Sequence, residues 1–307
     1  MVSGRILVIA LAVLATAGAA VPVMPHPGPQ TRVADNAACE SCHGAVAAEW
    51  RQSLHHASFT DADYQRATQR EDGPFCKNCH APERDEKLGV ACVTCHQPGA
   101  EILAAPGSAS SPHPVLRTAA FATEVACARC HEFDFPDTSV RRTALAMQRT
   151  VSEHRGRTET CQDCHMKRRA GHVDHRFAAA RDDAFVRSAV TVSARRVERT
   201  VEVTLAPARV GHAFPTGDLF RRVRVSAGRE ERFLARHYAT RQQASGVVVT
   251  VETSDDRVLG EPRVVVLPAP DARTHVRVAY ERAEGASDTR RSNVAVDGTI
   301  LLYEADL

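Results

Sequence analysis

Lysine is almost missing from this chain: Lys77, Lys87 and Lys167 are the only three among 39 basic residues, and the rest are arginines. That bias is compositional and points to no function. A net charge is missing too, because 37 acidic residues leave a formal charge of only +2, which removes the general electrostatic case for a nucleic-acid partner. Aromatic residues make up 5% of the chain and tryptophan occurs once, so large rings for an ordinary core are scarce. Methionine is scarce as well, with Met1 and Met24 close to the N-terminus and only Met147 and Met166 beyond it. After the first 20 residues no apolar run approaches the roughly 20 residues that cross a bilayer. What remains, 307 residues with 43% apolar and 25% charged side chains, describes a soluble globular protein with room for two domains.

No cysteine is left over either. All ten fall into five copies of Cys-x-x-Cys-His: Cys39, Cys42 and His43; Cys76, Cys79 and His80; Cys92, Cys95 and His96; Cys127, Cys130 and His131; Cys161, Cys164 and His165. With 15 histidines in the chain, the chance that five such pairs are each followed by one is on the order of one in three million. The spacing has a chemical reason. Two thiols three positions apart add to the two vinyl groups of one haem, and the adjacent imidazole reaches the iron. Structural zinc takes four ligands, usually from two Cys-x-x-Cys knuckles, and five knuckles with five histidines fit that poorly. Disulfides within each pair would close only their own turns, and thioredoxin-like motifs do not come in fives. The expected cofactor is therefore haem c, five copies, covalently attached.

Arg5 precedes an apolar run from Ile6 to Ala17 and the small residues Ala17-Gly18-Ala19-Ala20, the pattern of a secretory signal peptide over 1–20. A retained leader is the alternative, and only then would the chain contact a membrane. The expected location is periplasmic or extracellular. Residues 21–35 begin with four prolines between Val21 and Gln30 and read as an extended linker.

The sockets start 37, 16, 35 and 34 residues apart, within a domain expected to span 36–184. Few apolar stretches accompany them, so haem itself must supply much of the core, and the segment should not fold without it. Short helices are expected at 45–53, 60–70 and 139–154, the last from Val140, Ala144, Met147 and Val151 at helical spacing. From about residue 185 the period becomes two: Val201, Val203 and Leu205, then Val223 and Val225, then Val276, Val278 and Tyr280 alternate with other residues. Runs at 188–195, 246–253, 262–268 and 299–304 bring the count to about seven strands. The expected fold is an α and irregular multihaem domain followed by an all-β, sandwich-like domain over 185–307. From residue 181 onward 20 arginines face 18 acidic residues, which reads as a solvated face.

Cys39 to His43 followed by Trp50, Ser53 and His55 resembles the first-haem signature C-x-x-C-H-x6-W-x2-S-x-H of the nitrification-type tetrahaem cytochromes c. These belong with the pentahaem nitrite reductases and octahaem hydroxylamine oxidoreductases. Phe75 to His80 and Gly89 to His96 resemble the second and third sockets of that superfamily. Cys161 to Met166 with Asp174-His175-Arg176-Phe177 resembles a last socket with its downstream ligand, and Gly211 to Gly217 is similar to a Gly-His-x-x-Pro-Thr-Gly segment of multihaem proteins with an appended strand domain. The resemblance implies His55 as a distal iron ligand, with His56 as fallback, together with His175 and His212. The residues themselves add His113, in a loop stiffened by Pro112 and Pro114, and His154, seven positions before Cys161. His237 and His275 lie among the strands and read as surface residues. All five sockets end in histidine, so the proximal lysine of the nitrite reductases is absent, as is the additional equipment of the hydroxylamine oxidoreductases.

These features lead to an electron-transfer protein rather than an enzyme: a pentahaem cytochrome relaying single electrons through haems with two axial histidines. Its partners would be redox proteins, a membrane quinol oxidoreductase or other cytochromes. Two further readings stand beside it. One is a reductase or oxidase of a small nitrogen or sulfur compound at one haem with an open position, and the other is a docking subunit of a larger redox complex.

Overall fold

The computed structural model describes residues 32–70, 73–134, 136, 141–144, 146–154, 156–169, 171–284 and 294–307. The expected leader at 1–20 and nearly all of the linker lie outside these residues. None of the helices among them is long and apolar enough to cross a membrane.

The haem-motif half is built from short helices: α1 (Val33–Cys42), α2 (Gly44–Trp50), α3 (Ala62–Arg70), α4 (Lys77–His80), α5 (Cys92–His96), α6 (Val125–His131), α7 (Thr150–His154) and α8 (Cys161–His165). Minimal strands tie its loops together. They are β1 (Leu103–Ala104) with β2 (Leu116–Arg117), β3 (Glu132–Asp134) with β5 (Ala146–Arg149), and β6 (Arg168–Arg169) with β7 (His172–Val173); β4 (Arg141–Ala144) lies between β3 and β5 in sequence. The only apolar cluster within this half among the described residues is small, Trp50, Ala91 and Val93 with Cys39 and Leu88 against them. So little buried apolar surface cannot hold this many loops, as the sequence led us to expect.

A helix over 139–154 does not form in the part that is described. Residues 141–144 and 146–149 run as β4 and β5, and helix among the described residues is confined to α7, which holds Val151. Ala144 and Met147 are taken into strand pairing instead: β5 lies antiparallel to β3, and β4 runs parallel to a strand of the second half, while Val140 lies outside the described residues. Tertiary partners override local periodicity here. Similarly, α1 begins at Val33, inside the expected linker.

The second half opens with α9 (Asp183–Arg187), whose N-terminus is capped by Asp182 accepting from the Phe185 amide. Nine strands follow: β8 (Val190–Val197), β9 (Thr200–Pro207), β10 (Arg221–Ala227), β11 (Glu230–Leu234), β12 (Arg236–Gln242), β13 (Val248–Asp255), β14 (Arg263–Pro268), β15 (His275–Ala283) and β16 (Val296–Asp306). One sheet has the order β11-β10-β15-β16 and another β14-β9-β8, and both contribute to one core. The alternation read from the sequence is the burial pattern: Val201, Val203, Leu205, Val223, Val225, Val276 and Val278 are fully buried. A third sheet, β12-β13-β4, takes its edge strand from the haem-motif half, so backbone pairing crosses the expected 184/185 boundary.

Two expectations about polar residues fail. The arginines are not all a solvated face. Arg222, Arg236 and Arg257 are buried, paired with Glu281, with Glu252, and with Asp255 and Glu153 respectively. His237 is not a surface residue, since it is 2% exposed with its Nε2 against Asp256. Burying these groups is tolerable because each has a charged partner.

Candidate haem sites

Each socket is wound into about one helical turn: it ends α1 and α6, and it makes up nearly all of α4, α5 and α8. Residues i, i+3 and i+4 share one helical face, so both thiols and the imidazole point the same way. Polar side chains fix two of these turns. At α8 the Thr160 hydroxyl accepts from the Asp163 amide while the Asp163 carboxylate accepts from the Thr160 amide. At α5 the Thr94 hydroxyl accepts from the Ala91 amide and donates to buried Glu83, and the Asn36 carbonyl oxygen accepts from the Cys92 amide, joining the first socket helix to the third.

All ten socket cysteines, the five socket histidines and the five candidate distal histidines line one connected cavity of about 3030 Å³. The other described histidines, His56, His172, His237 and His275, do not line it. The sockets adjoin one another: the Cys79 side chain lies beside that of Cys130, and the Cys127 side chain beside that of Cys161. Among the described residues no group of three or more His, Cys, Asp or Glu is arranged to hold a bare metal ion.

The histidines are prepared as ligands by what their other nitrogen does. Nδ1–H donates to a backbone carbonyl at His80 (Ser58, 2.8 Å), His96 (Leu103, 3.0 Å), His165 (Ala178, 2.7 Å), His175 (Val173, 2.6 Å) and His212 (Ala213, 2.9 Å), and at His131 to the Gln148 side chain (3.2 Å). This fixes the tautomer with Nε2 unprotonated and free to bind iron. His172 and His237 do the reverse, placing Nε2 on Glu49 and Asp256. Burial disfavours the charged imidazole at His55, pushed down to about 3, and at His212, pushed down to about 4. His55 Nδ1 is buried with no hydrogen-bond partner, an orphan that a group bound in the cavity would account for.

Ring pairs give the sharpest test. Two imidazoles bound through nitrogen to opposite faces of one metal, at about 2.0–2.1 Å each, have ring centres about 6.3 Å apart. His43–His113, His55–His131 and His96–His175 are each at 6.3 Å, and His165–His212 is at 6.2 Å. Four of the five candidate distal histidines thus face a socket histidine at the distance one iron requires. The fifth does not. The His154 ring packs on Gly211, where a Cβ would come within 2.8 Å of its Cδ2, beside the His165–His212 pair. Its neighbour Glu153 is tied to Arg257 and Thr216, which anchors α7 at this place. At the remaining socket, the only aromatic ring against His80 among the described residues is Tyr64, stacked at 4.0 Å and 17° on the imidazole face.

The segments that present the distal rings are held from outside the cavity. Trp50 is buried and donates from its indole N–H to the Val90 carbonyl, and the Ser53 hydroxyl donates to the Trp50 carbonyl while accepting from the His56 amide. This winds residues 50–56 into a turn that sends His55 inward and packs His56 on the edge of Trp50. Gly89, at φ +58°, presses against the same turn; a Cβ there would meet the carbonyl oxygens of His55 and His56 at 2.4 and 2.3 Å. Glu49 accepts from His172 Nε2 and from the His175 amide, pinning the turn after β7 that carries His175. Sequence reasoning missed Glu49, Gly89 and Tyr64. Gly89 had a signal in its place just before the third socket; the other two had none.

Comparison with known proteins agrees with this geometry. Residues 27–97, which hold the first three sockets, match the family described as cytochrome c7 and related cytochrome c. The fold is similar to the crystal structure of a penta-heme cytochrome c552 from Thermochromatium tepidum, with a TM-score of 0.67 and 17% identity, over 91% of this chain and 99% of that one. No curated protein matches. The five Cys-x-x-Cys-His sockets are sites for covalently bound c-type haem, and the chain is built as a multihaem electron-transfer cytochrome.

Proposed function

We propose that this protein is an exported pentahaem cytochrome c, periplasmic or extracellular, that relays single electrons between redox proteins, with four haems held between two histidines and the fifth held by His80, which faces no second histidine among the described residues. The observation that carries the reading is the set of four histidine pairs at 6.2–6.3 Å. Haem supplies an iron that gains and loses one electron at a potential set by its axial ligands. The chain's own residues do the rest. Ten thiols anchor the groups, backbone carbonyls orient the proximal rings, and the apolar walls around Phe121, Phe177 and Phe185, packed on His96, His55 and His165, restrict water. The strand-rich half acts as an all-β, sandwich-like domain that closes one side of this assembly. Its ion pairs to the haem half, Asp63 with Arg282 and Glu153 with Arg257, support that role.

A second reading is favoured by His80. A haem with one axial histidine has a position at which a small molecule can bind, so binding or reduction of a small nitrogen or sulfur compound would belong at this socket. Counting spins by electron paramagnetic resonance of the fully matured ferric protein tests both statements. Four low-spin irons and one high-spin iron are expected. Five low-spin irons would remove the second reading and give His80 a partner, and two or more high-spin irons would break the pairing scheme.

A further inference from the structure

The strand-rich half meets the fifth socket through Phe185 of α9, whose ring lies 5.1 Å from that of His165, and through one loop. Residues 211–217 connect β9 to β10 and carry His212 at 6.2 Å from His165. The loop belongs to no sheet; its backbone makes a single bridge, Phe214 with Val258. Its other anchor is charged. Arg257, 4% exposed, donates from Nη1 to the Pro215 carbonyl at 3.0 Å and from Nη2 to Glu153 at 2.5 Å, while its Nε and Nη2 also engage Asp255 at 2.9 and 2.7 Å. The second Glu153 oxygen accepts from the Thr216 hydroxyl at 2.6 Å. Glu153 itself is 7% exposed and lies on α7, in the haem-motif half. One carboxylate from that half and one guanidinium from the strand half therefore grip two consecutive residues of the loop, Pro215 and Thr216.

A buried ion pair is a weak source of net stability, because desolvation offsets much of the attraction, and fixing one geometry is its best-attested use. The geometry fixed here is that of an iron ligand. A ligand displaced by about 1 Å no longer bonds a metal at about 2.0–2.1 Å. We propose that Arg257 and Glu153 are positioning residues for the fifth haem: their ion pair holds the 211–217 loop where His212 reaches the iron bound by His165. The strand-rich half thus completes a coordination sphere in the other half. This rests on the reading of His212 as a distal ligand.

The test is the ferric spin state of full-length, haem-loaded Arg257→Gln beside His212→Ala, with five haems confirmed by denatured mass. His212→Ala should move one iron in five from low to high spin, and Arg257→Gln should move the same iron, identified by the same lost low-spin signal. Arg257→Lys, which keeps a cation for Glu153, should restore much of that signal. Should Arg257→Gln fail to accumulate, Thr216→Val removes the hydroxyl that bonds Glu153 and Thr150 while leaving the Arg257–Glu153 pair in place, and should produce a partial high-spin signal at the same site. A role in stability alone would lower the melting temperature of these variants with every low-spin signal intact, and that result overturns the inference. If His212→Ala itself leaves all low-spin signals unchanged, the ligand reading fails first and takes the inference with it.

Discussion

Carbon monoxide binds ferrous haem only where an axial position is open, so its stoichiometry counts the sockets that lack a second histidine. The ring distances set the expected numbers. With four pairs at 6.2–6.3 Å and none at His80 among the described residues, the dithionite-reduced parent should take up one carbon monoxide per five haems. Replacing His55, His113 or His175 by alanine, one at a time, opens one further position and should raise the count to two. The new site should differ each time, because the three face different proximal rings: His131, His43 and His96. His154→Ala is the discriminating variant. The residue lines the same cavity and precedes the fifth socket, yet its ring faces Gly211 rather than a socket histidine, so the count should stay at one. Titration of the reduced protein, followed by the Soret change and normalised to pyridine-haemochrome content, reads these integers directly. A parent that binds no carbon monoxide, or a His154→Ala variant that binds one more than the parent, would falsify the assignment of ligands from ring geometry.

Other outcomes follow from the packing around the sites. Gly89→Ala places a methyl group about where the His55 and His56 carbonyl oxygens lie, on a backbone already at φ +58°, so the turn must shift; the absorption spectrum should show partial loss of the low-spin haem that His55 and His131 share. Glu281→Gln leaves the fully buried Arg222 guanidinium without its counter-charge and should cost about 3–5 kcal/mol in denaturant unfolding. Burial raises the Asp63 carboxyl, but Arg181 and Arg282 beside it outweigh that and hold it below the usual carboxylate range. A depressed folded-state value adds stability above the unfolded value, about 3.9, that is lost as pH falls through the folded one. Thermal midpoints of Asp63→Asn should therefore fall less steeply than the parent's below about pH 4, with the largest difference between the two near neutrality.

How far the sequence could be read depended on how local each requirement is. A socket must bring two thiols and one imidazole to one haem edge, and one helical turn does this at fixed spacing, so all ten cysteines and five histidines were legible in the sequence. The strand alternation at Val201, Val203 and Leu205 was equally local. Distal ligands are not. His55 was readable only through the resemblance that Trp50 and Ser53 carry, and His154, read from its closeness to Cys161 along the chain, packs on Gly211, because sequence distance says nothing about which ring a side chain faces. The buried arginines were hidden for the same reason, since Arg222 and Arg257 find Glu281 and Glu153 at separations of 59 and 104 residues. Strands β11 and β12, rich in charge, exist because neighbouring chain pairs with them, as the bonding of β12 to β13 and of β13 to β4 illustrates. One physical fact links these failures. Where haem supplies the core, polypeptide is left mainly to orient ligands, and it does so with single long-range contacts, Glu49 to His175, Gly89 to the His55 turn and Arg257 to the His212 loop, each too specific to leave a periodic trace.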